Sequence, residues 1–136
     1  MADDLALELP ATNDALQDCL ASIEAYCEGQ QVRRDTIMRL LIIVEELFTN
    51  SIKHGYRAEC DRPVRIRMRA GPPLVFTYED EAPPFDPTRW DTERVLALDP
   101  DDRVVGQTGI ALVVGMSRSV RYQALPVGNQ LVIELA

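Results

Sequence analysis

The feature that most constrains the fold of this chain is a long amphipathic segment from about Arg33 to His54. Residues of one broad, mostly apolar stripe recur there at helical spacing: Ile37, Leu40, Leu41, Val44, Leu47, Phe48, Ser51 and Ile52. Gly55 follows as a natural helix stop. The pattern predicts one long helix with a buried face, so the rest of the chain must supply the surface that covers it.

A second face of the same helix carries polar groups of complementary chemistry. At ~100° per residue, Glu46, Asn50 and Lys53 fall within about 60° of arc. An amide oxygen is a hard ligand for magnesium, a carboxylate can accept a proton from a hydroxyl or water, and a lysine can meet phosphate. The spacing fits a site for Mg-ATP, and it also fits an ordinary solvated helix face.

The remaining chain alternates between strand and helix patterns. Strands are predicted at Leu5–Leu9, Val64–Arg69, Leu74–Glu79, Val120–Leu125 and Gln130–Leu135, the last two as a hairpin around Gly128-Asn129. A helix capped by Thr12 or Asn13 is expected to run to about Glu28, and another from Thr108 to Ser117.

The element order predicts the architecture. With β-α-α-β-β-loop-α-β-β and no repeat or linker, we expect residues 1–136 to form a single domain. Strand runs mixed with segregated helices favour a two-layer α/β sandwich of the α+β class. The proline-rich connection from Ala82 to about Gly106 is typical of a functional or mobile loop.

Charge and residue usage exclude several classes of function. The formal net charge of −8 disfavours direct binding of nucleic acid, although it leaves room for ATP and for a basic protein partner. No apolar run approaches the ~18 residues that a membrane span needs, and the acidic N-terminus does not fit a secretory signal. We therefore expect a cytoplasmic protein. Three cysteines without C-x-x-C spacing and a single histidine, His54, disfavour structural zinc.

The run VEELFTNSIKHGY, from Val44 to Tyr56, resembles the N box of the ATPase superfamily that contains gyrase, a heat-shock chaperone and histidine kinases. It looks closest to the anti-sigma-factor serine-protein kinases. That resemblance implies the Bergerat fold, a mixed, mainly antiparallel sheet backed by three helices. It also implies that Glu46 is the catalytic base, Asn50 the magnesium ligand and Lys53 a phosphate contact. His54 matches a position near the nucleotide, or it simply caps the helix end.

Two further runs resemble the other boxes of this family. The first, EDEAPPFDP after a predicted strand, implies that Asp80 accepts a hydrogen bond from adenine, with Phe85 nearby and Ala82 in place of the usual glycine. The second is GQTGIALV, which opens the last predicted helix. Its Gly106, Thr108 and Gly109 would lie against the phosphates of ATP at a helix N-terminus.

The resemblance implies a function and a set of partners. The γ-phosphoryl group of ATP would pass, with Mg²⁺, to a serine or threonine of a small anti-anti-sigma protein of the STAS type, in a bacterial partner-switching system. A sigma factor is a further expected partner, and relatives often pair as homodimers. The segment from Phe85 to Val105 would form the ATP lid, where an arginine reaches phosphate or stays solvated. The alternative function is a module without strong catalysis that sequesters a sigma factor or antagonist.

Overall fold

The computed structural model of the protein describes residues 4–89 and 107–136, and it confirms the α+β sandwich. The described residues contain three α-helices: α1 (Asn13–Gly29), α2 (Arg34–Asn50) and α3 (Gln107–Met116). The strands are β1 (Leu5–Ala11), β2 (Cys60–Arg69), β3 (Leu74–Asp80), β4 (Ser119–Ala124) and β5 (Asn129–Leu135). They form one sheet in the order β1-β2-β3-β5-β4, with every neighbouring pair antiparallel.

Strand alternation places the core on one face of the sheet. Val64 and Ile66 of β2 are buried and pair with Asp80 and Tyr78 of β3, whereas Arg65 between them is exposed. The opposite face is polar, and there Arg65 pairs with Glu8 at 2.6 Å. The predicted half-buried strand with a solvated basic face is therefore confirmed.

Helix α2 covers the core face of the sheet, as its apolar stripe predicts. The buried stripe residues are Ile37, Leu40, Val44, Leu47, Phe48, Ser51 and Ile52. Helix α1 packs beside α2 and contributes its own buried residues, among them Cys19 and Cys27. Burial raises the pKa of these two thiols to about 12 and about 11, so both stay protonated and act as packing groups.

The end of α2 departs from the expected α-helix. Residues Ser51–Gly55 form a π-helical turn, in which the Tyr56 N–H donates to the Ser51 carbonyl at 2.7 Å. An i→i+5 turn winds fewer degrees per residue than an α-helix. Lys53 and His54 therefore do not continue the direction that α-helical spacing predicts from Asn50.

Local signals fix the chain at two other places. Thr12 caps α1, since its Oγ1 accepts from the Ala15 N–H at 3.1 Å. The β4–β5 turn closes between Leu125 and Gly128, where the Leu125 N–H donates to the Gly128 carbonyl at 3.0 Å. The hairpin is confirmed, and Gly128 lies in its turn as predicted. Asn129 does not, because it already begins β5 and is only 8% exposed.

Within the described ranges, no helix is both long and apolar enough to cross a membrane.

The two faces of β3 give a direct test of where the core lies. Phe76 is fully buried, and Thr77 beside it points to the polar face. We expect Phe76→Ala to lower the free energy of unfolding by about 3–5 kcal/mol, since it leaves a cavity. Thr77→Ala, the matched control, should cost less than about 1 kcal/mol. Urea unfolding measures both, and equal losses would contradict the assignment of the faces.

Candidate functional site

A cavity of about 270 Å³ opens between the C-terminal end of α2 and the end of β3. Its walls are mostly apolar, with a few converging polar groups: Leu47, Asn50, Ser51, His54, Gly55, Tyr78, Asp80, Ala82, Pro83, Pro84, Phe85, Pro87, Ile110, Asn129 and Leu131. Apolar walls with a small number of placed polar groups are typical of a site for a small organic ligand.

Asp80 is the polar centre of this cavity and is only 8% exposed. Its Oδ2 accepts from the Ser51 hydroxyl at 2.7 Å, and its Oδ1 accepts from Asn129 Nδ2 at 2.9 Å and from the Ala82 N–H at 3.2 Å. Each carboxylate oxygen can accept two hydrogen bonds. Among the described residues, Oδ2 therefore keeps one acceptor position for a ligand in the cavity.

Behind Asp80, a buried hydroxyl pair joins α2 to β3. The Tyr78 hydroxyl lies 2.7 Å from Ser51 Oγ and donates to the Leu47 carbonyl at 3.2 Å. Burial raises the pKa of Tyr78 well above its usual value, so the phenol stays neutral and remains a donor. Since the Ser51 hydrogen points to Asp80, the Tyr78 hydrogen is shared between Ser51 Oγ and the Leu47 carbonyl.

A second tyrosine holds the chain where it leaves β3. The Tyr56 hydroxyl accepts from the Glu81 N–H at 2.7 Å and donates to the Pro63 carbonyl at 2.8 Å. The Arg62 guanidinium lies over the Tyr56 ring, 5.3 Å from its centroid. The residue directly after Asp80 is thus tied to the segment that follows α2.

Glu46 and Asn50 lie one turn apart on α2, at different positions relative to the cavity. Asn50 lines it, whereas Glu46 is half-buried and faces the first turn of α3. A methyl group built on Gly109 would collide with the Glu46 carboxylate. The bare Gly109 backbone thus allows the helix N-terminus, which favours negative charge, to approach this carboxylate.

The other predicted site residues are divided between the cavity and its surroundings. His54, Ala82 and Phe85 line the cavity. Lys53 is exposed and is not among the lining residues, so its contact with phosphate stays a prediction.

Some predicted residues cannot be placed in this way. Gly106 and most of the predicted ATP lid, residues 90–105, lie outside the described part of the chain. The backbone of Thr108 belongs to the first turn of α3, but its side chain is outside the description.

Sequence reasoning missed three residues of the network around Asp80: Ser51, Tyr78 and Asn129. A serine inside an otherwise apolar stripe was a signal of a buried polar partner for Ser51. Tyr78 lies on the core side of the strand alternation, where its hydroxyl needs such a partner. Because Asn129 follows a glycine, the local pattern predicts a turn and does not indicate a place in the site.

Comparisons with known proteins agree with this architecture. The family model of the histidine kinase-like ATPase domain matches residues 9–135. The structure of the RsbU and RsbW domains of Rv1364c from Mycobacterium tuberculosis is similar, with a TM-score of 0.68 and 13% identity. That match covers 98% of this chain and 32% of the other, so this chain spans about a third of its length.

A second similar structure is the SiaB-SiaC complex from Pseudomonas aeruginosa, with a TM-score of 0.67 and 12% identity. Here the match covers 96% of this chain and 89% of the other. No curated protein has a significantly matching sequence. At these identities the structural likeness establishes the fold, and the family match extends over nearly the whole chain. The chain belongs to the histidine kinase-like ATPase domain family.

Proposed function

We propose that the protein binds Mg-ATP in this cavity and transfers the γ-phosphoryl group to a serine or threonine of a small anti-anti-sigma protein of the STAS type. The observation that carries the proposal is the cavity itself, which is lined by Asn50 of α2 and by the buried Asp80. Glu46 lies one helical turn before Asn50 on α2. Similarity to a protein solved in a complex with a partner also supports a protein substrate.

The base of the nucleotide fits the region around Asp80. The remaining acceptor position on Asp80 Oδ2 can receive the amino group of adenine, and apolar side chains such as Ile110 and Leu131 can cover the ring. A purine with a carbonyl in place of the amino group would place its carbonyl oxygen, an acceptor, against Asp80 Oδ2, which is also an acceptor. Such a mismatch discriminates strongly, since it leaves buried polar groups unpaired.

The phosphates would extend from the base toward α3. Asn50 offers an amide oxygen at the cavity wall, and such an oxygen is a suitable magnesium ligand. The metal would neutralise charge on the phosphates. The first turn of α3 supplies backbone N–H groups and the positive end of a helix dipole, beside the bare Gly109.

In this proposal, Glu46 acts on the attacking group. In the proposed step, the hydroxyl oxygen of the acceptor forms a bond to the γ-phosphorus, and the bond from phosphorus to the β-γ bridging oxygen breaks. ADP leaves with that electron pair, and Glu46 accepts the hydroxyl proton. Positioning and charge neutralisation carry most of the catalysis in phosphoryl transfer, so one general base beside the phosphate region is sufficient.

Substitution of Glu46 separates binding from catalysis. Glu46→Gln should retain ATP affinity and reduce phosphoryl transfer by about 10²- to 10⁴-fold, the usual contribution of a general base. The measurement is transfer of label from γ-labelled ATP to a purified anti-anti-sigma protein of the STAS type. Glu45→Gln is the matched control, since Glu45 is exposed on the same helix. Unchanged transfer in Glu46→Gln would remove Glu46 from the mechanism.

The same assay separates the kinase from the alternative function. A labelled partner protein supports the kinase. A stable complex whose partner remains unlabelled, with wild-type protein and Mg-ATP present, would favour the sequestering module instead.

Ala82 stands where the family usually has a glycine, and it fits this site because Gly55, which faces it, has no side chain. Ala82 is only 3% exposed, and a methyl group built on Gly55 would lie 2.7 Å from the Ala82 Cβ. The Gly55 backbone is outside the left-handed region, so its conformation would allow a side chain. The contact with Ala82 is what excludes one. There is room for one methyl group between positions 55 and 82, and in this chain it is that of Ala82. We expect this arrangement to leave space for the nucleotide.

This pairing predicts a non-additive mutant cycle. Gly55→Ala should lower the free energy of unfolding by about 1–3 kcal/mol through overpacking and should weaken ATP binding. Ala82→Gly alone should have a small effect. The double variant should recover most of the loss, because it moves the single methyl group across the contact. Chemical unfolding and ATP titration of the four proteins measure the cycle. A double variant as unstable as Gly55→Ala would contradict the pairing.

A further inference from the structure

The segment Ala82–Phe85, which follows β3, has few backbone N–H groups that could form hydrogen bonds and fix its conformation. Between Ala82 and Phe85 the chain contains two prolines, so only these two residues have an N–H. The Ala82 N–H donates to Asp80 Oδ1 at 3.2 Å, and the Phe85 N–H donates to Asn129 Oδ1 at 2.8 Å. Two side chains from neighbouring strands therefore fix this wall of the cavity.

Asn129 contacts both ends of the segment and the carboxylate behind it. Its Nδ2 lies 2.9 Å from Asp80 Oδ1, 3.1 Å from the Pro83 carbonyl and 3.3 Å from the Ala82 carbonyl. Its Oδ1 accepts from the Phe85 N–H and, at 2.6 Å, from the Tyr122 hydroxyl. A flipped amide would face acceptors with its oxygen and donors with its nitrogen, so these contacts determine its orientation.

The sheet holds Asn129 rigidly in this position. Asn129 is the register partner of Asp80 between β5 and β3. The preceding residue, Gly128, has φ +102°, and a methyl group there would collide with the Asp80 carbonyl. The glycine thus permits the close approach of the turn to the end of β3. The backbone pairing of β5 with β3 then fixes the position of the Asn129 side-chain amide.

We propose that Asn129 is the positioning residue of this site: it orients the Asp80 carboxylate and sets the path of the Ala82–Phe85 segment, and so determines the preference for a purine with a 6-amino group. Because its Nδ2 engages Asp80 Oδ1, it leaves Oδ2 as the oxygen that faces a base. This inference rests on the proposed binding of ATP.

Two measurements on the full chain test the inference. The first is hydrogen exchange of the Phe85 amide by NMR, which needs no nucleotide. The second is equilibrium dialysis with ATP and with inosine triphosphate, which carries a carbonyl in place of the 6-amino group. The variants are Asn129→Ala and Asn129→Asp. The control is Gln130→Ala, since Gln130 is the next residue of β5, on the opposite face of the sheet, and it contacts Glu79 at 2.7 Å.

In Asn129→Ala, the Phe85 amide should exchange at least about tenfold faster, and ATP affinity should fall at least about tenfold, as expected for the loss of a hydrogen bond to a charged group. Affinity for inosine triphosphate should change much less, so the ratio of ATP affinity to inosine triphosphate affinity should fall. Asn129→Asp keeps the acceptor for Phe85 but faces Asp80 with a second carboxylate. It should protect the Phe85 amide and still lose ATP affinity. Gln130→Ala should leave both readouts unchanged.

An unchanged ratio of ATP to inosine triphosphate affinity in folded Asn129→Ala would overturn the inference, as would unchanged exchange of the Phe85 amide. If Asn129→Ala does not fold, Asn129→Asp decides in the same way through its selectivity ratio. If the wild-type protein binds neither nucleotide, the proposed function fails. The exchange rate of Phe85 in the variants then decides by itself whether Asn129 positions the segment.

Discussion

The structure depends on the burial of one carboxylate, that of Asp80, between a helix and two strands. A buried charge without partners would cost several kcal/mol, and here three donors from Ser51, Asn129 and the Ala82 backbone satisfy it. These donors come from the π-helical turn after α2, from β5 and from the segment after β3. The carboxylate thus ties together the elements that surround the cavity, and the described residues leave one of its acceptor positions available to a ligand.

The long helix α2 links this network to the chemistry of the site. Its apolar stripe covers the sheet, while Asn50 reaches the cavity and Glu46 faces the first turn of α3. The buried hydroxyls of Ser51 and Tyr78 connect the end of the helix to β3. Displacement of α2 would therefore disturb the core packing, the contacts of Asp80 and the position of Glu46 together.

Much of the fold could be predicted from the sequence, because its signals are local. The stripe on α2 and the alternation in β2 are periodic patterns that one segment carries by itself. The role of Asn129 could not be predicted, because it arises from pairing with Asp80, 49 residues away, while the local Gly-Asn signal indicated a turn. The direction predicted for Lys53 assumes α-helical geometry, whereas a π-helical turn begins at Ser51. The family boxes marked Asp80 and Gly109, but not the neighbours that orient or accommodate them.

The central claim is that the cavity beside Asp80 and Asn50 binds Mg-ATP. Calorimetric titration of the wild-type protein with ATP, in the presence and absence of magnesium, tests it most directly. The account predicts saturable binding of one ATP per chain that weakens when magnesium is removed, since Asn50 is proposed to hold the metal against the phosphates. Absence of nucleotide binding by protein that is demonstrably folded would contradict it.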